Sequence, residues 1–300
     1  MNPPRRYNTN LSKAQGVIAE TIELLGLWEP GMSAVQLKAR VRQTGALGKA
    51  TQTRVDDIVS RAFAQRYLVE EGQPAKHLKL LAASGSLRGL LRQLMLVYTA
   101  RSQPVLHDFI TDVYWPKAGS RAGEVTKEDT RDFLERAKAM GRSLGLAAMP
   151  SDHELGTAPL SRASGTLSPA PSGGEGRGEG AWSPGTTERM ARNLLGTLAD
   201  FEWIIENRLG RRKVCPPTIL PETVLYLAYD LHFHGLEGQA LLRHADWPLF
   251  GLMPADVLDL LNKLAAQGHA QVQSAGALLR IEWAYADMES VIHAILDRKV

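Results

Sequence analysis

The sequence predicts a mainly α protein, a helical bundle with helix-turn-helix and winged-helix-like units and short β-hairpin wings. Three observations lead there. Apolar residues recur at three-to-four-residue spacing over most of the 300 residues, aromatics reach only 6%, and alternating strand-type runs are short and few. Hydrophobic content of 44% with 22% charged residues is that of an ordinary globular protein, and the length suits about two domains.

Taken in order, residues 1–80 read as an N-terminal helical unit of helix-turn-helix type. Arg5 and Arg6 open it as a basic arm, and Ser12 is placed to cap a helix from Lys13 to Leu27 with Val17, Ile18, Ile22 and Leu25 inward. Pro30-Gly31 breaks that helix. Ser33 caps a second, with Val35, Leu37 and Val41 apolar and Lys38, Arg40 and Arg42 on the other side. Gly45 and Gly48 turn the chain. Thr51 and Thr53 lead into a third helix, with Val55, Ile58, Val59, Ala62 and Phe63 inward and Arg54, Arg61 and Arg66 outward. Two helices across a tight glycine turn fit a helix-turn-helix, and equally a three-helix bundle with solvated charges.

Residues 84–148 read as a helical scaffold. Leu87, Leu90, Leu91, Leu94, Met95 and Tyr98 give it a strongly apolar helix, and Thr126 with Asp129 three residues on predicts a capping box ahead of Phe133, Leu134 and Ala137. Residues 149–181 change character. Rich in Gly, Ser and Pro and almost without large apolar side chains, they are expected to form a flexible linker or insertion.

Residues 182–300 read as a C-terminal helical domain with winged-helix-like units. Ser183 or Thr186 can cap a helix with Pro184 in its first turn and Met190, Leu194, Leu195, Leu198 and Phe201 in one stripe. The period then changes: Glu202–Glu206 and Arg211–Cys215 predict two strands about a turn at Asn207–Gly210, before Pro216-Pro217. Helices follow at Glu222–Leu231, Leu236–His244 and from Pro254 to Gly268. A second hairpin, His269–Gln273 with Leu278–Trp283, carries Arg280 as its one cation, and a last helix spans Met288 to Leu296.

The overall charge is only +3, but it is unevenly spread. Residues 1–80 hold 12 Lys/Arg against 7 Asp/Glu, whereas the remainder holds 23 against 25. Basic charge at one end favours a polyanionic partner there. The single cysteine, Cys215, allows no intramolecular disulfide and fits a reducing cytoplasm. No run approaches the roughly 18 apolar residues of a membrane span, so the expectation is a cytoplasmic protein with no membrane partner. His232, His234 and His244 lack the spacing and companion ligands of a metal site. The GGEGRGEG run has neither a preceding strand nor a Gly-Lys-Ser/Thr ending, and no nucleophile elbow or zinc-protease motif occurs. No enzyme and no cofactor are expected.

The chemistry that remains is cationic. Arg5 and Arg6 as an arm, Lys38, Arg40, Arg42, Lys49, Arg54 and Arg61 as phosphate contacts, Thr51 and Thr53 near a groove, and Arg208, Arg211, Arg212 and Lys213 at the wing form the candidate interface for double-stranded DNA.

Several of these pieces, the Arg-Tyr-Asn-Thr opening, the early helix ending Leu-Leu-Gly-Leu-Trp, the Arg-rich second and third helices, the WSPGTT segment and the late GALLRIEW hairpin, together resemble BrxA, an accessory protein family of BREX phage-defence systems. The resemblance spans nearly the whole chain outside 149–181. It implies an all-helical protein with winged-helix-like parts, no catalytic residues, DNA binding in phage defence, and a BREX methyltransferase and ATPase among its partners. It transfers no site residue by motif. A protein–protein adaptor that docks a larger defence enzyme, and a transcriptional regulator, are the alternative expectations.

Overall fold

The computed structural model describes residues 7–48, 50–142, 182–206, 211–275 and 278–297. Arg5, Arg6, Lys49, Arg208, the 149–181 segment and the turn at Asn207–Gly210 lie outside the described residues. The protein is mainly helical, with two small two-stranded antiparallel sheets.

Helix α1 is Ile18–Leu27, α2 is Ala34–Thr44, and α3 runs over 52–67 with a π-helical stretch at Asp57–Phe63. α1 starts five residues later than expected, and Ser12 ends a short 3-10 turn instead of capping it. The reason is tertiary: residues 14–16 give their backbone groups to other elements. The Arg66 guanidinium donates to the carbonyls of Ala14 (2.8 Å), Gln15 (2.8 Å) and Gly16 (3.2 Å), and the Gly16 N–H donates to Asp200 Oδ2 at 2.9 Å. A Cβ on Gly16 would collide with Asp200, so only glycine allows this approach. Arg66 is therefore buried, at 2% exposure, and not outward as expected from its helical position. Ile22 and Val35 are exposed, not inward, while Thr21, Leu24 and Leu25 take the buried face of α1.

The remaining caps follow the sequence closely. The Ser33–Gln36 and Thr126–Asp129 capping boxes both form, and Ser183 Oγ accepts the Thr186 N–H at 3.2 Å. α4 (Gln73–Ala83) and α5 (Arg88–Ser102) are followed by α6 over 104–118, continuous through a π-helical stretch at Ile110–Tyr114. α7 is Lys127–Ala139 and α8 is Pro184–Asp200, which packs along α7 and buries Met190, Leu194, Leu195 and Leu198.

Strand β1 (Ile204–Glu206) pairs antiparallel with β2 (Arg212–Val214). Helices α9 (Pro221–Phe233), α10 (Gly238–Leu242) and α11 (Pro254–Ala266) then precede β3 (Ala270–Ala275), its partner β4 (Leu278–Trp283), and α12 (Met288–Leu296). The buried Tyr229 hydroxyl closes the second hairpin, donating to the His269 carbonyl at 2.5 Å and accepting the Ala284 N–H at 2.8 Å.

One apolar core runs from Tyr7 and Trp28 through α5 to Trp203, Trp247 and Ile295. Polar ties cross it. Gln93 of α5 donates to the Thr218 carbonyl and accepts from the Leu220 N–H and the Thr223 hydroxyl. Arg101, also on α5, holds Asp230 (2.7 Å) and Asp246 (2.6 Å), both nearly fully buried.

Candidate nucleic-acid interface

The first hairpin is anchored from both sides. α8 delivers Phe201 and Trp203 into the core, and Tyr114 donates its hydroxyl to the Trp203 carbonyl at 2.9 Å. On the outer edge of β2, the Val125 N–H donates to Arg212 O (3.0 Å) and the Val214 N–H to Gly123 O (2.8 Å). Segment 123–125 thus lies beside β2 as a third extended stretch. Alternation along β2 buries Val214 and turns Lys213 outward. Arg211 is 65% exposed, with Glu124 at 3.9 Å, and Arg212 pairs with Glu206 at 3.3 Å. Lys127 and Thr126 share a shallow cavity with Arg211 and Arg212, together with Glu124, Glu128 and Glu206. Sequence reasoning missed Lys127. The only signal for it is the pairing of 123–125 with β2, which depends on residues about 90 positions apart in the chain.

The cations of α2 and α3 are met by partners within the chain. Asp56 is 3.6 Å from Lys38 and 3.3 Å from Arg42. Arg40 donates to Glu29 at 2.7 Å and to the Leu27 carbonyl at 2.8 Å, Arg61 lies 3.1 Å from Asp57, and Arg54 donates to the Lys13 carbonyl at 2.8 Å. Thr51 accepts the Arg54 N–H as the α3 cap, which commits its oxygen, whereas Thr53 is exposed and side by side with the exposed Gln52 at the start of α3. The structure therefore gathers Lys38, Arg42, Arg54 and Arg61 around α2 and α3, with Arg211, Arg212 and Lys213 grouped on the hairpin.

Elsewhere the titratable groups behave as packing elements. Burial pushes the Tyr98 and Tyr226 phenols up, so both stay protonated. Among the described residues no group of His, Cys, Asp or Glu side chains could hold a metal ion, and no helix is long and apolar enough to cross a membrane. His232 instead stacks on Trp283, with ring centroids 4.7 Å apart. Cys215 is half-buried beside the hairpin.

Fold and surface together define a helix-dominated protein in which a hairpin bearing Arg211, Arg212 and Lys213 follows a long helix. Residues 5–146, just under half of the chain, match the family model BrxA, the family that the sequence resembles. That match supports an association with BREX systems. The crystal structure of an uncharacterized protein from Magnetospirillum magneticum is similar in fold, with a TM-score of 0.51 and 14% identity, covering 76% of this chain and 95% of that one. No curated protein matches.

Proposed function

We propose that this protein is a non-enzymatic, DNA-binding accessory component of a BREX phage-defence system, and that it grips duplex DNA mainly through backbone phosphates. In this reading α8 and the β1–β2 hairpin act as a winged-helix-like unit, with α2 and α3 as a helix-turn-helix beside it. The observation that carries it is the exposure of Arg211 and Lys213 on a hairpin held rigidly by β2 pairing on both edges. Rigid placement lowers the entropy lost when a cation docks on phosphate. The ion pairs on α2 and α3 are partly exposed, Arg42 with Asp56 the most open of them, so phosphate can compete with Asp56 for these cations.

Fluorescence anisotropy of a labelled duplex across a salt series tests this. Affinity is expected to fall linearly on a log–log plot, by about 0.9 for each phosphate contacted. Arg211→Glu with Lys213→Glu should weaken binding and flatten the slope without lowering the melting temperature. No binding at low salt would overturn the proposal.

A second reading has its own observation. Val35 on α2 is 62% exposed and Ile205 on the hairpin 59% exposed, apolar side chains on the same elements that carry the cations. A protein–protein adaptor docking a larger defence enzyme, such as the BREX methyltransferase or ATPase, would use them. Val35→Asp with Ile205→Asp would then release the enzyme partner while leaving any DNA affinity in place.

A further inference from the structure

A cavity of about 370 Å³ lies where the turn before α4, the α5 and α9 helices, and the turn before α12 meet. Its walls are apolar and aromatic: Pro74, Tyr98, Phe233 and Met288 line it. Three carboxylates, Glu70, Asp230 and Asp287, also line it, and no lysine or arginine does. The cation among its lining side chains is His234, whose Nδ1–H donates to the Asp230 carbonyl at 2.6 Å and whose Nε2 lies 3.1 Å from Glu70. Burial opposes charge on that ring, but the Asp230 and Glu70 contacts outweigh it and raise its pKa. Arg101 already pairs with Asp230 from behind the wall at 2.7 Å, which leaves Glu70 and Asp287 as the carboxylates facing the cavity without an arginine or lysine partner.

The cavity also contains an unspent hydrogen-bonding atom. His77 is only 6% exposed. Its Nδ1 lies 2.8 Å from Tyr226 Oη, which in turn lies 2.7 Å from Tyr98 Oη. Its Nε2 has no hydrogen-bond partner among the described residues, and the ring lines the cavity. Burial holds this imidazole neutral, lowering its pKa. With Nδ1–H donating to Tyr226 Oη, Nε2 keeps a lone pair that can accept a hydrogen bond from a ligand in the cavity. An apolar cavity of this size with a few convergent polar groups is what small-molecule sites look like.

We propose that this cavity binds a compact organic cation, an ammonium or guanidinium group on an apolar arm. The arm packs on Tyr98, Phe233 and Met288, and the cationic head lies between Glu70 and Asp287 with an N–H directed to His77 Nε2. Aromatic faces favour such a head further, since a ring quadrupole attracts cations. The proposal is independent of the DNA-binding reading.

Phenethylammonium, which joins a ring to an ammonium head, is the probe, titrated into the full chain by calorimetry. Saturable one-to-one binding is expected, with 3-phenylpropionate, of similar shape and opposite charge, giving none. Ala286→Trp, at an exposed position on the cavity wall, should fill the space and abolish binding. Glu70→Gln should weaken binding about fivefold by removing one partly exposed carboxylate. His77→Phe fills the same volume without an acceptor and should weaken it as well. Absence of binding by the full chain, undiminished binding by both Ala286→Trp and Glu70→Gln, or equal binding of the phenylpropionate would each overturn the proposal. DNA affinity should be unchanged in all three variants, so loss of one property does not imply loss of the other.

Discussion

At the scale of single residues, Arg66 clasps the chain ahead of α1. It sits at the end of α3 with 2% exposure and spans three consecutive carbonyls that would otherwise lack donors. Burial lowers its pKa, yet an arginine keeps its proton, so the charge stays and must be solvated by those carbonyls. Arg66→Met is expected to destabilise the protein by about 3 kcal/mol, because it strands the carbonyls of residues 14–16. Chemical denaturation measures it. Arg61→Met, which removes a partly exposed pair with Asp57, should change stability by less than about 1 kcal/mol. Similar shifts for the two would show that the clasp contributes nothing.

At the scale of elements, α5 is joined to the C-terminal half by the Asp230–Arg101–Asp246 link. Burial pushes the Asp246 carboxyl up, but the His244 contact and the Arg101 guanidinium outweigh it and hold its pKa at about 2. The unfolded chain has an ordinary aspartate near about 3.9. A depressed folded value stabilises above the unfolded pKa and is lost as pH falls through the folded one. Stability of about 2 kcal/mol should therefore vanish between about pH 4 and pH 2, and Asp246→Asn should remove that dependence. Unfolding free energies at pH 5 and pH 2.5 check it; an unaltered pH profile in the variant would refute the assignment. The elements themselves were largely legible. Apolar period and cap chemistry gave α2, α7, α8 and α12 within a residue or two, along with both hairpins, because those signals are local. What the sequence hid was long-range. The late start of α1 depends on Asp200 and Arg66, the outward placement of Val35 on what α2 packs against, and the cation set around the hairpin on the pairing of 123–125 with β2. The acidic partners of Lys38, Arg42 and Arg40 were visible as residues, but nothing in their spacing announced the pairs.

At the scale of the molecule, the segments before residue 143 and after residue 181 share one core. Gln15 donates to Asn193, Gly16 to Asp200, Tyr114 to Trp203 and Arg131 to Glu188, and Trp115 donates to the Leu249 carbonyl. The BrxA match covers the first segment, whose apolar faces are completed by the second. Residues 1–146 expressed alone should be insoluble or molten, whereas coexpression with 182–300 should give a complex that copurifies and unfolds in one transition. A monomeric 1–146 with sharp cooperative unfolding would contradict this.

The tie between Gly16 and Asp200 has a consequence during synthesis. The carboxylate that the sixteenth residue needs is made 184 positions later. At about 5–20 residues per second, the N-terminal helices wait roughly 10–40 s on the ribosome before their last partners emerge. Through that interval α1, α3 and α5 can pack on one another and on α4, but the face of α5 that meets α9 has nothing of its own chain to cover it. A nascent chain of this design is a natural client for holding chaperones, and slowing translation beyond residue 143 should lengthen that dependence.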